Sequence, residues 1–323
     1  MIEVKELCKI YNDRKAVNGV SFSVKKGEIL GFLGPNGAGK STTMKILSGF
    51  ISATSGSANI NGFDVQTQSL QAKASIGYLP ENPPVYTAME VEDYLKFAAA
   101  LHGVPKNKVA AAARDAMEKC GIYDVRHRII GNLSKGYRQR VGLAQAMAHN
   151  PPVLILDEPT VGLDPRQIIE IRNLIQSLGG DHTVILSTHI LPEVQATCSR
   201  VVVIDHGKVV AMDTLDGIAA RMQSNVRLHV VLKQSPEKIF SQLKSMSGVT
   251  NVQNLQSPNH EEHHLAIELA KGVDARATVA ELCVHEKLGL LALTQERLSL
   301  EDAFVKLITQ EVGDEDTTRD IVG

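Results

Sequence analysis

The chain has 323 residues, of which 43% are hydrophobic and 22% are charged. These proportions are close to those of ordinary globular proteins, so they exclude a disordered or fibrous chain. The formal net charge of -2 does not favour a nucleic acid or an anionic membrane surface as a partner. A chain of this length is typical of two domains.

The four cysteines are far apart in the sequence and show no CxxC or Cys/His spacing. We therefore expect neither a disulfide framework nor a structural zinc site. Charged residues follow Met1 at once, and no stretch approaches the roughly 18 apolar residues that a membrane helix needs. These features predict a chain that is not exported and does not span a membrane by itself.

The first thirty residues alternate apolar and polar side chains, which predicts short antiparallel strands. Continuous apolar strand candidates follow at residues 29–33, 153–156, 184–186 and 201–204. Helical stretches separate these candidates, and that alternation is typical of a parallel sheet covered on both faces. Residues 91–119 are rich in alanine and other helix formers, and they predict a helical insertion in this α/β core.

Beyond about residue 222 the predicted elements follow the order β-α-β-β-α-β, which is the ferredoxin-like arrangement. A last helix is predicted over residues 300–310, and residues 313–323 are polar and acidic, which predicts a disordered tail. The sequence thus predicts an α/β domain over 1–222, an accessory α+β domain over 223–312 and a tail over 313–323.

A glycine-rich motif follows the first apolar strand candidate, because residues 34–41 fit the pattern G-x-x-x-x-G-K-[ST]. The glycines of such a loop let backbone N–H groups wrap phosphates, the lysine reaches the outer phosphates and the hydroxyl takes Mg²⁺. A helical stretch over residues 42–47 follows, so a helix N-terminus would point at the anion. The predicted nucleotide-binding residues of this loop are Gly34, Pro35, Asn36, Gly37, Ala38, Gly39, Lys40, Ser41 and Thr42.

Two adjacent carboxylates, Asp157 and Glu158, end the apolar strand over residues 153–156. Neighbouring residues of a strand face opposite ways, so one carboxylate can aim at a metal while the next turns toward a water molecule. We expect Asp157 to orient Mg²⁺ and Glu158 to polarise the attacking water. A solvated strand end is the alternative for any Asp-Glu pair, but an upstream phosphate loop disfavours it.

The order and spacing of several motifs resemble those of an ABC transporter ATPase, and the resemblance covers about residues 1–218. The motifs lie at residues 34–42, 133–139, 154–159, 162–164 and 188–189. The resemblance implies a P-loop NTPase fold with an antiparallel β subdomain, ATP hydrolysis as the activity, and ATP and Mg²⁺ as cofactors.

The resemblance also implies roles for single residues. Tyr11 looks like the aromatic that stacks on adenine, and His189 looks like the switch histidine. Ser134 and Gly136 resemble the signature residues that contact the γ-phosphate of the opposite subunit, and Asp164 resembles the residue that couples the two composite sites. Read without the family, Ser134 fits a helix N-cap, and Tyr11 and His189 could be ordinary core or surface residues.

Two departures from the common family pattern stand out. The signature at residues 133–137 reads Leu-Ser-Lys-Gly-Tyr in place of Leu-Ser-Gly-Gly-Gln, and Glu81 stands where a glutamine is usual. Both variants resemble a branch of gliding-motility and multidrug exporter ATPases, some of which have an appended C-terminal domain with a motif like residues 300–304. Glu81 adds negative charge near the magnesium site, so its role as a metal contact stays open.

The leading hypothesis is the ATPase subunit of an exporter, peripheral on the cytoplasmic face of a membrane. Two copies would dimerise around two ATP molecules and drive separate membrane permease subunits, with no nucleic acid as partner. The alternative is a soluble ABC ATPase that acts on ribosomes or DNA. The histidine and glutamate cluster at residues 260–264 is not expected to bind a metal, because sequential neighbours on a strand cannot all face one ion.

Overall fold

The structure is a computed structural model that describes residues 1–222, 225–255, 262–270 and 272–296. The chain divides into two compact units, Met1–Leu215 and Asp216–Gly323. The helix predicted over 300–310, the motif at 300–304 and the tail predicted over 313–323 lie outside the described residues. Within the described ranges, no helix is long and apolar enough to cross a membrane.

The first unit contains ten strands and seven helices, and an eighth helix begins at its last residue. The strands are β1 (Ile2–Tyr11), β2 (Arg14–Val24), β3 (Ile29–Leu33), β4 (Ser55–Ile60), β5 (Phe63–Asp64), β6 (Ile76–Leu79), β7 (Val153–Asp157), β8 (Thr183–Thr188), β9 (Arg200–Asp205) and β10 (Lys208–Asp213). The helices are α1 (Lys40–Leu47), α2 (Ser69–Ala74), α3 (Val91–Leu101), α4 (Val109–Lys119), α5 (Lys135–Met147), α6 (Pro165–Leu178), α7 (Leu191–Thr197) and α8 (Leu215–Met222).

A six-stranded sheet forms the centre of the first unit, with the strand order β10-β9-β3-β8-β7-β6. Its strands pair in parallel from β9 to β6, and β10 is antiparallel to β9 at the edge. Every residue of β3, β7 and β8 is buried, as expected of strands covered on both faces. The predicted parallel sheet is confirmed, and it brings the carboxyl ends of β3, β7 and β8 to one edge.

The antiparallel strands predicted in the first thirty residues are confirmed as β1 and β2, which pair in a second sheet of order β2-β1-β4-β5. The turn between them lies at Asn12, whose positive φ of 51 is a conformation that asparagine tolerates well. The predicted helical insertion is confirmed as α3 and α4. Buried alanines such as Ala99, Ala113 and Ala116 let these helices pack closely within one apolar cluster.

The described elements of the second unit after α8 follow the order β-α-β-β-α-β. They are β11 (Asn225–Leu232), α9 (Glu237–Ser245), β12 (Val249–Leu255), β13 (His263–Ala270), α10 (Arg276–His285) and β14 (Leu290–Glu296). The strands form an antiparallel sheet of order β12-β13-β11-β14 over a separate apolar cluster. Helix α9 has Pro236 as its N-cap, and β13 begins at His263, within the histidine and glutamate cluster at residues 260–264.

Candidate functional site

The glycine-rich loop joins β3 to α1 at the edge where the parallel strands end. Helix α1 begins at Lys40, two residues earlier than predicted, because Gly39 is its N-cap with a left-handed φ of 104. A Cβ added at Gly39 would lie 2.4 Å from the carbonyl oxygen of Ala16, so both the conformation and the space require glycine. Lys40 and Ser41 therefore occupy the first turn of α1.

The side chain of Lys40 is buried, with 5% of its surface exposed. Its Nζ donates hydrogen bonds to the carbonyl oxygens of Gly34 at 2.9 Å and Pro35 at 3.2 Å. The same Nζ lies 3.3 Å from Oε1 of Glu158, whose side chain is 6% exposed. The loop lysine and a strand-end carboxylate thus form a buried ion pair, where attraction between charges is less screened than in water.

The two adjacent carboxylates after β7 contact different partners. Asp157 accepts a hydrogen bond from Oγ of Ser41 at 3.3 Å. Burial is the main cause that raises the pKa of Asp157; hydroxyl hydrogen bonds, including the one from Ser41, oppose the rise, and the charges of Glu158 and Glu81 add to it. Since crowded negative charge destabilises the ionised form, a cation bound here would favour the carboxylate.

Glu158 leaves the line of the strand, with a φ of 50 in the left-handed region that few non-glycine residues adopt. Its backbone N–H donates to the carbonyl oxygen of Ser187 in β8 at 2.9 Å. Its carboxylate oxygens lie 3.0 and 2.9 Å from Nδ1 of His189, which directly follows β8. The turn thus points Glu158 away from Asp157 and toward Lys40 and His189.

These side chains meet at a cavity of about 1000 Å³. The predicted site residues that line it are Tyr11, Asn36, Gly37, Gly39, Lys40, Ser41, Thr42, Glu81, Glu158 and His189. Asp157 lies behind Ser41, and Gly34, Pro35 and Ala38 form the base of the loop. Tyr11 is 47% exposed at the cavity wall, and Nζ of Lys9 lies over its ring, 5.2 Å from the ring centre.

Sequence reasoning missed further cavity residues: Arg14, Lys15, Ala16, Val161 and His206. His206 lies in the turn between β9 and β10, and its Nδ1 is 2.8 Å from Oδ2 of Asp205. A backbone hydrogen bond joins this turn to the glycine-rich loop: the N–H of Gly207 donates to the carbonyl oxygen of Ala38 at 2.9 Å. In the sequence, the run Asp205-His206-Gly207 indicates only a hairpin turn, so it did not point to the cavity.

The signature residues do not line this cavity. Ser134 is the N-cap of α5, as its sequence position indicated, and its Oγ accepts a hydrogen bond from the N–H of Tyr137 at 3.4 Å. A Cβ added at Gly136 would lie 2.5 Å from the side chain of Gln167, so α5 and α6 approach closely there. Asp164 is the N-cap of α6 and accepts hydrogen bonds from two backbone N–H groups, each at 3.0 Å.

The histidine cluster of the second unit pairs across strands. Nδ1 of His264 in β13 lies 3.1 Å from Nε2 of His229 in β11. The part of the chain that the structure describes contains no group of three or more His, Cys, Asp or Glu side chains able to hold a metal ion. His260 and Glu261 lie outside the described residues.

Known proteins resemble the chain in sequence and in structure. A family profile described as ABC transporter matches residues 17–161. The bacitracin transport ATP-binding protein BcrA of Bacillus licheniformis is 32% identical over 311 residues, which cover 95% of this chain and 97% of that protein. The linearmycin resistance ATP-binding protein LnrL of Bacillus subtilis (strain 168) is 29% identical over 318 residues, which cover 97% of this chain and 100% of that protein.

A solved structure of an ATP-binding subunit of an ABC transporter superimposes with a TM-score of 0.62 and 30% sequence identity, covering 68% of this chain and 92% of its own. These similarities do not favour the alternative of an ATPase that acts on ribosomes or DNA. Because the similarity to BcrA covers 95% of this chain at 32% identity, this chain belongs to the family of ABC transporter ATP-binding proteins and is an ATP-hydrolysing subunit of such a transporter.

Proposed function

We propose that this chain drives an exporter, with two copies enclosing two ATP molecules and acting on separate membrane permease subunits. The observation that carries the proposal is the convergence of Lys40, Ser41, Asp157, Glu158 and His189 at one edge of the central sheet. The relatives whose names refer to bacitracin transport and linearmycin resistance support export as the direction.

The nucleotide would lie in the 1000 Å³ cavity, with adenine on the exposed ring of Tyr11. The backbone N–H groups of residues 34–42 and the N-terminus of α1 would hold the phosphates. Lys40 is already directed along this loop by two carbonyl oxygens. Phosphate oxygens would give its ammonium group a new anionic partner and would release Glu158 from the ion pair.

The residues behind the loop fit Mg²⁺, which prefers oxygen ligands. The Ser41 hydroxyl and the Asp157 carboxylate already lie in hydrogen-bond contact, and burial, with the nearby charges of Glu158 and Glu81, raises the pKa of Asp157. Glu81 brings a further carboxylate to the cavity wall. When bound, Mg²⁺ would supply positive charge that offsets the charge on the phosphates.

Glu158 would orient the attacking water and accept its proton, since its carboxylate lies at the cavity wall and its backbone is fixed to β8. His189 would hold that carboxylate in place through its Nδ1 contact. Protonated ring nitrogen can donate to the carboxylate, so the pair resembles a base held by an orienting group. From the end of the adjacent strand, His189 would thus orient Glu158, which would act on the water.

The second copy would complete each nucleotide site. Ser134 and Asp164 are exposed N-cap residues outside the cavity of their own chain, and Gly136 lies two residues beyond Ser134, in the first turn of α5. The N-terminus of α5 carries a partial positive charge suited to a phosphate. We place these residues against the ATP of the partner subunit and the chain itself at the cytoplasmic face of the membrane, bound to its permease.

Replacing Glu158 tests the catalytic assignment. Glu158→Gln keeps the size of the side chain and removes the base, so turnover should fall by about 10²-fold or more while ATP binding persists. The variant should accumulate as a dimer in Mg-ATP, measured by size-exclusion chromatography with light scattering. Glu170→Gln, an exposed charge change on α6, is the matched control. Wild-type turnover by Glu158→Gln would exclude the proposed role.

Affinity purification of the tagged chain from detergent-solubilised cells tests the assignment to a permease. Recovery of a multispanning membrane protein in stoichiometric amount is the expected result. Recovery of ribosomes or DNA without such a protein would contradict it.

A further inference from the structure

A buried carboxylate that the sequence did not single out lies beside the catalytic strand ends. Glu193 is in the first turn of α7 and is 1% exposed. Its Oε2 accepts a hydrogen bond from Oγ1 of Thr188 at 2.7 Å, and its Oε1 accepts one from Oγ1 of Thr160. Both threonines are themselves buried, with 0% and 3% of their surface exposed.

The two threonines belong to the two segments that carry the proposed catalytic pair. Thr160 lies in the turn after β7, two residues beyond Glu158, and Thr188 directly precedes His189. The Glu193 carboxylate therefore joins the chain just after the base to the chain just before the histidine. A third hydrogen bond, from the N–H of Ile190 to Oγ1 of Thr188 at 3.1 Å, leaves the hydroxyl proton of Thr188 free to point at Glu193.

Placing a carboxylate here costs stability. A buried charge is unfavourable unless it is paired, and an apolar side chain of similar size is usually a better core residue. Within the described ranges no lysine, arginine or histidine nitrogen lies within 4.0 Å of Glu193, so the two hydroxyl groups are its partners. The Glu193 carboxylate therefore fixes the positions of the Thr160 and Thr188 hydroxyl groups more than it stabilises the packing of the core.

We propose that Glu193 is a positioning residue for ATP hydrolysis, which fixes the geometry between Glu158 and His189 through Thr160 and Thr188. The inference rests on the roles proposed above for Glu158 and His189. The 2.9 Å contact between their side chains lies beyond Asp157 and Ser187, the last paired residues of β7 and β8, and beyond the backbone hydrogen bond from Glu158 to Ser187. A displacement of about 1 Å in a reacting group can cost roughly 10²-fold in rate. The Glu193 carboxylate, which joins the two segments through Thr160 and Thr188, should therefore affect turnover.

Glu193 does not line the nucleotide cavity, which separates its effect from binding. Glu193→Ala removes both acceptors, and we expect kcat to fall by about 10- to 10²-fold while the KM for Mg-ATP stays within a few fold. Glu193→Gln keeps one carbonyl oxygen and the side-chain length. Because its NH₂ cannot accept from the second threonine hydroxyl, it should restore only part of the lost kcat.

The control is Val194→Ala, which removes buried apolar surface from the same helix and leaves the hydrogen-bond acceptors of both threonines in place. If Glu193 only stabilises the fold, the two alanine variants should show parallel losses in melting temperature and in activity. The expected result is a loss of kcat in the folded Glu193→Ala protein that Val194→Ala does not reproduce. Circular dichroism and thermal melts identify the folded fraction before the kinetics are measured.

Thr160→Val and Thr188→Val test the same link from the other side, and they serve if Glu193→Ala does not fold. Each should lower kcat, and combining either with Glu193→Gln should cost less than the sum of the separate losses, since the variants break the same contact. Additive losses, or an unchanged kcat in all these variants, would overturn the proposal. Glu158→Gln measured in parallel separates the outcomes: if it too retains turnover, the catalytic assignment fails and not the link alone.

Discussion

The ammonium group of Lys40 has oxygen partners on three residues, Gly34, Pro35 and Glu158. Two are carbonyl oxygens of its own loop, and the third is the carboxylate of the proposed base. Under the proposed function, a phosphate oxygen would take the place of Glu158 beside Lys40. We therefore expect nucleotide binding to release Glu158 through this one side chain.

Lys40→Ala should lose nucleotide binding. It deletes the side-chain cation that the motif places on the outer phosphates, and charge-assisted hydrogen bonds of this kind are the strong ones. We expect ATP affinity to fall by about 10²-fold, measured by titration with a fluorescent ATP analogue. Lys45→Ala, an exposed lysine on the same helix, should bind normally. Near-wild-type affinity of Lys40→Ala would show that the lysine is not a phosphate ligand.

Replacing Glu81 tests whether this residue couples ATP hydrolysis to the proposed permease. It is exposed at the cavity wall, and its charge helps to raise the pKa of Asp157. Glu81→Gln should leave ATP affinity within a few fold, since it touches neither Lys40 nor the loop amides, but it should alter permease-stimulated hydrolysis. Basal and stimulated rates are measured in reconstituted vesicles, with the exposed Glu118→Gln on α4 as control. Unchanged rates in both assays would make Glu81 an ordinary surface residue.

At the scale of elements, a stacked pair of imidazoles joins the ends of two helices. The rings of His102, after α3, and His149, after α5, lie 3.9 Å apart and are tilted by only 7 degrees. Nε2 of His149 contacts the carbonyl oxygen of Ile76 at 3.1 Å. Burial, and then the neighbouring His102, lower the pKa of His149 to about 4, and burial also lowers that of His102.

Acid should therefore destabilise this junction. A histidine whose pKa is lower in the folded than in the unfolded state favours folding when neutral, so its contribution is complete above about pH 6.5 and is lost toward pH 4. Over this range His149→Gln should lose less free energy of unfolding than the wild type, by on the order of 2 kcal/mol. Urea titrations at several pH values measure it, with the exposed His127→Gln as control. Identical pH slopes for wild type and His149→Gln would contradict the prediction.

At the scale of the whole molecule, each unit has apolar clusters of its own. The cluster around Leu228, Val230 and Ile267 contains residues of the second unit alone, and the clusters of the first unit contain none of them. Every residue that lines the nucleotide cavity lies in the first unit. The predicted boundaries after residues 222 and 312, and a role for the second unit in dimer stability, stay predictions.

Residues 1–222 should fold and bind ATP with an affinity close to that of the full chain, because removing the rest takes nothing from the cavity. If the second unit holds two copies together, hydrolysis by this fragment should require a higher protein concentration. ATP titration and the concentration dependence of the hydrolysis rate measure the two effects. A folded fragment that does not bind ATP would exclude an accessory role, and an unchanged concentration dependence would exclude dimer stabilisation.

The sequence alone determined those parts of the site that contiguous residues build. The phosphate loop between β3 and α1 and the N-cap at Ser134 were predicted because their hydrogen bonds join residues only a few positions apart. The alternation of apolar strands and helices likewise predicted the parallel sheet. The two-residue period of a strand predicted that Asp157 and Glu158 face different ways, but the left-handed turn at Glu158, just beyond the end of β7, sets the direction of its side chain.

Only the tertiary structure decided which distant side chains meet. Glu193 contacts Thr160 across 33 positions, and His229 contacts His264 across 35. His206 reaches the cavity because β9 pairs with β3 and brings the following turn beside the loop. Such contacts depend on strand order and register, which are set by the burial of whole faces of the sheet. A local pattern at either partner does not specify them, so the sequence did not indicate these contacts.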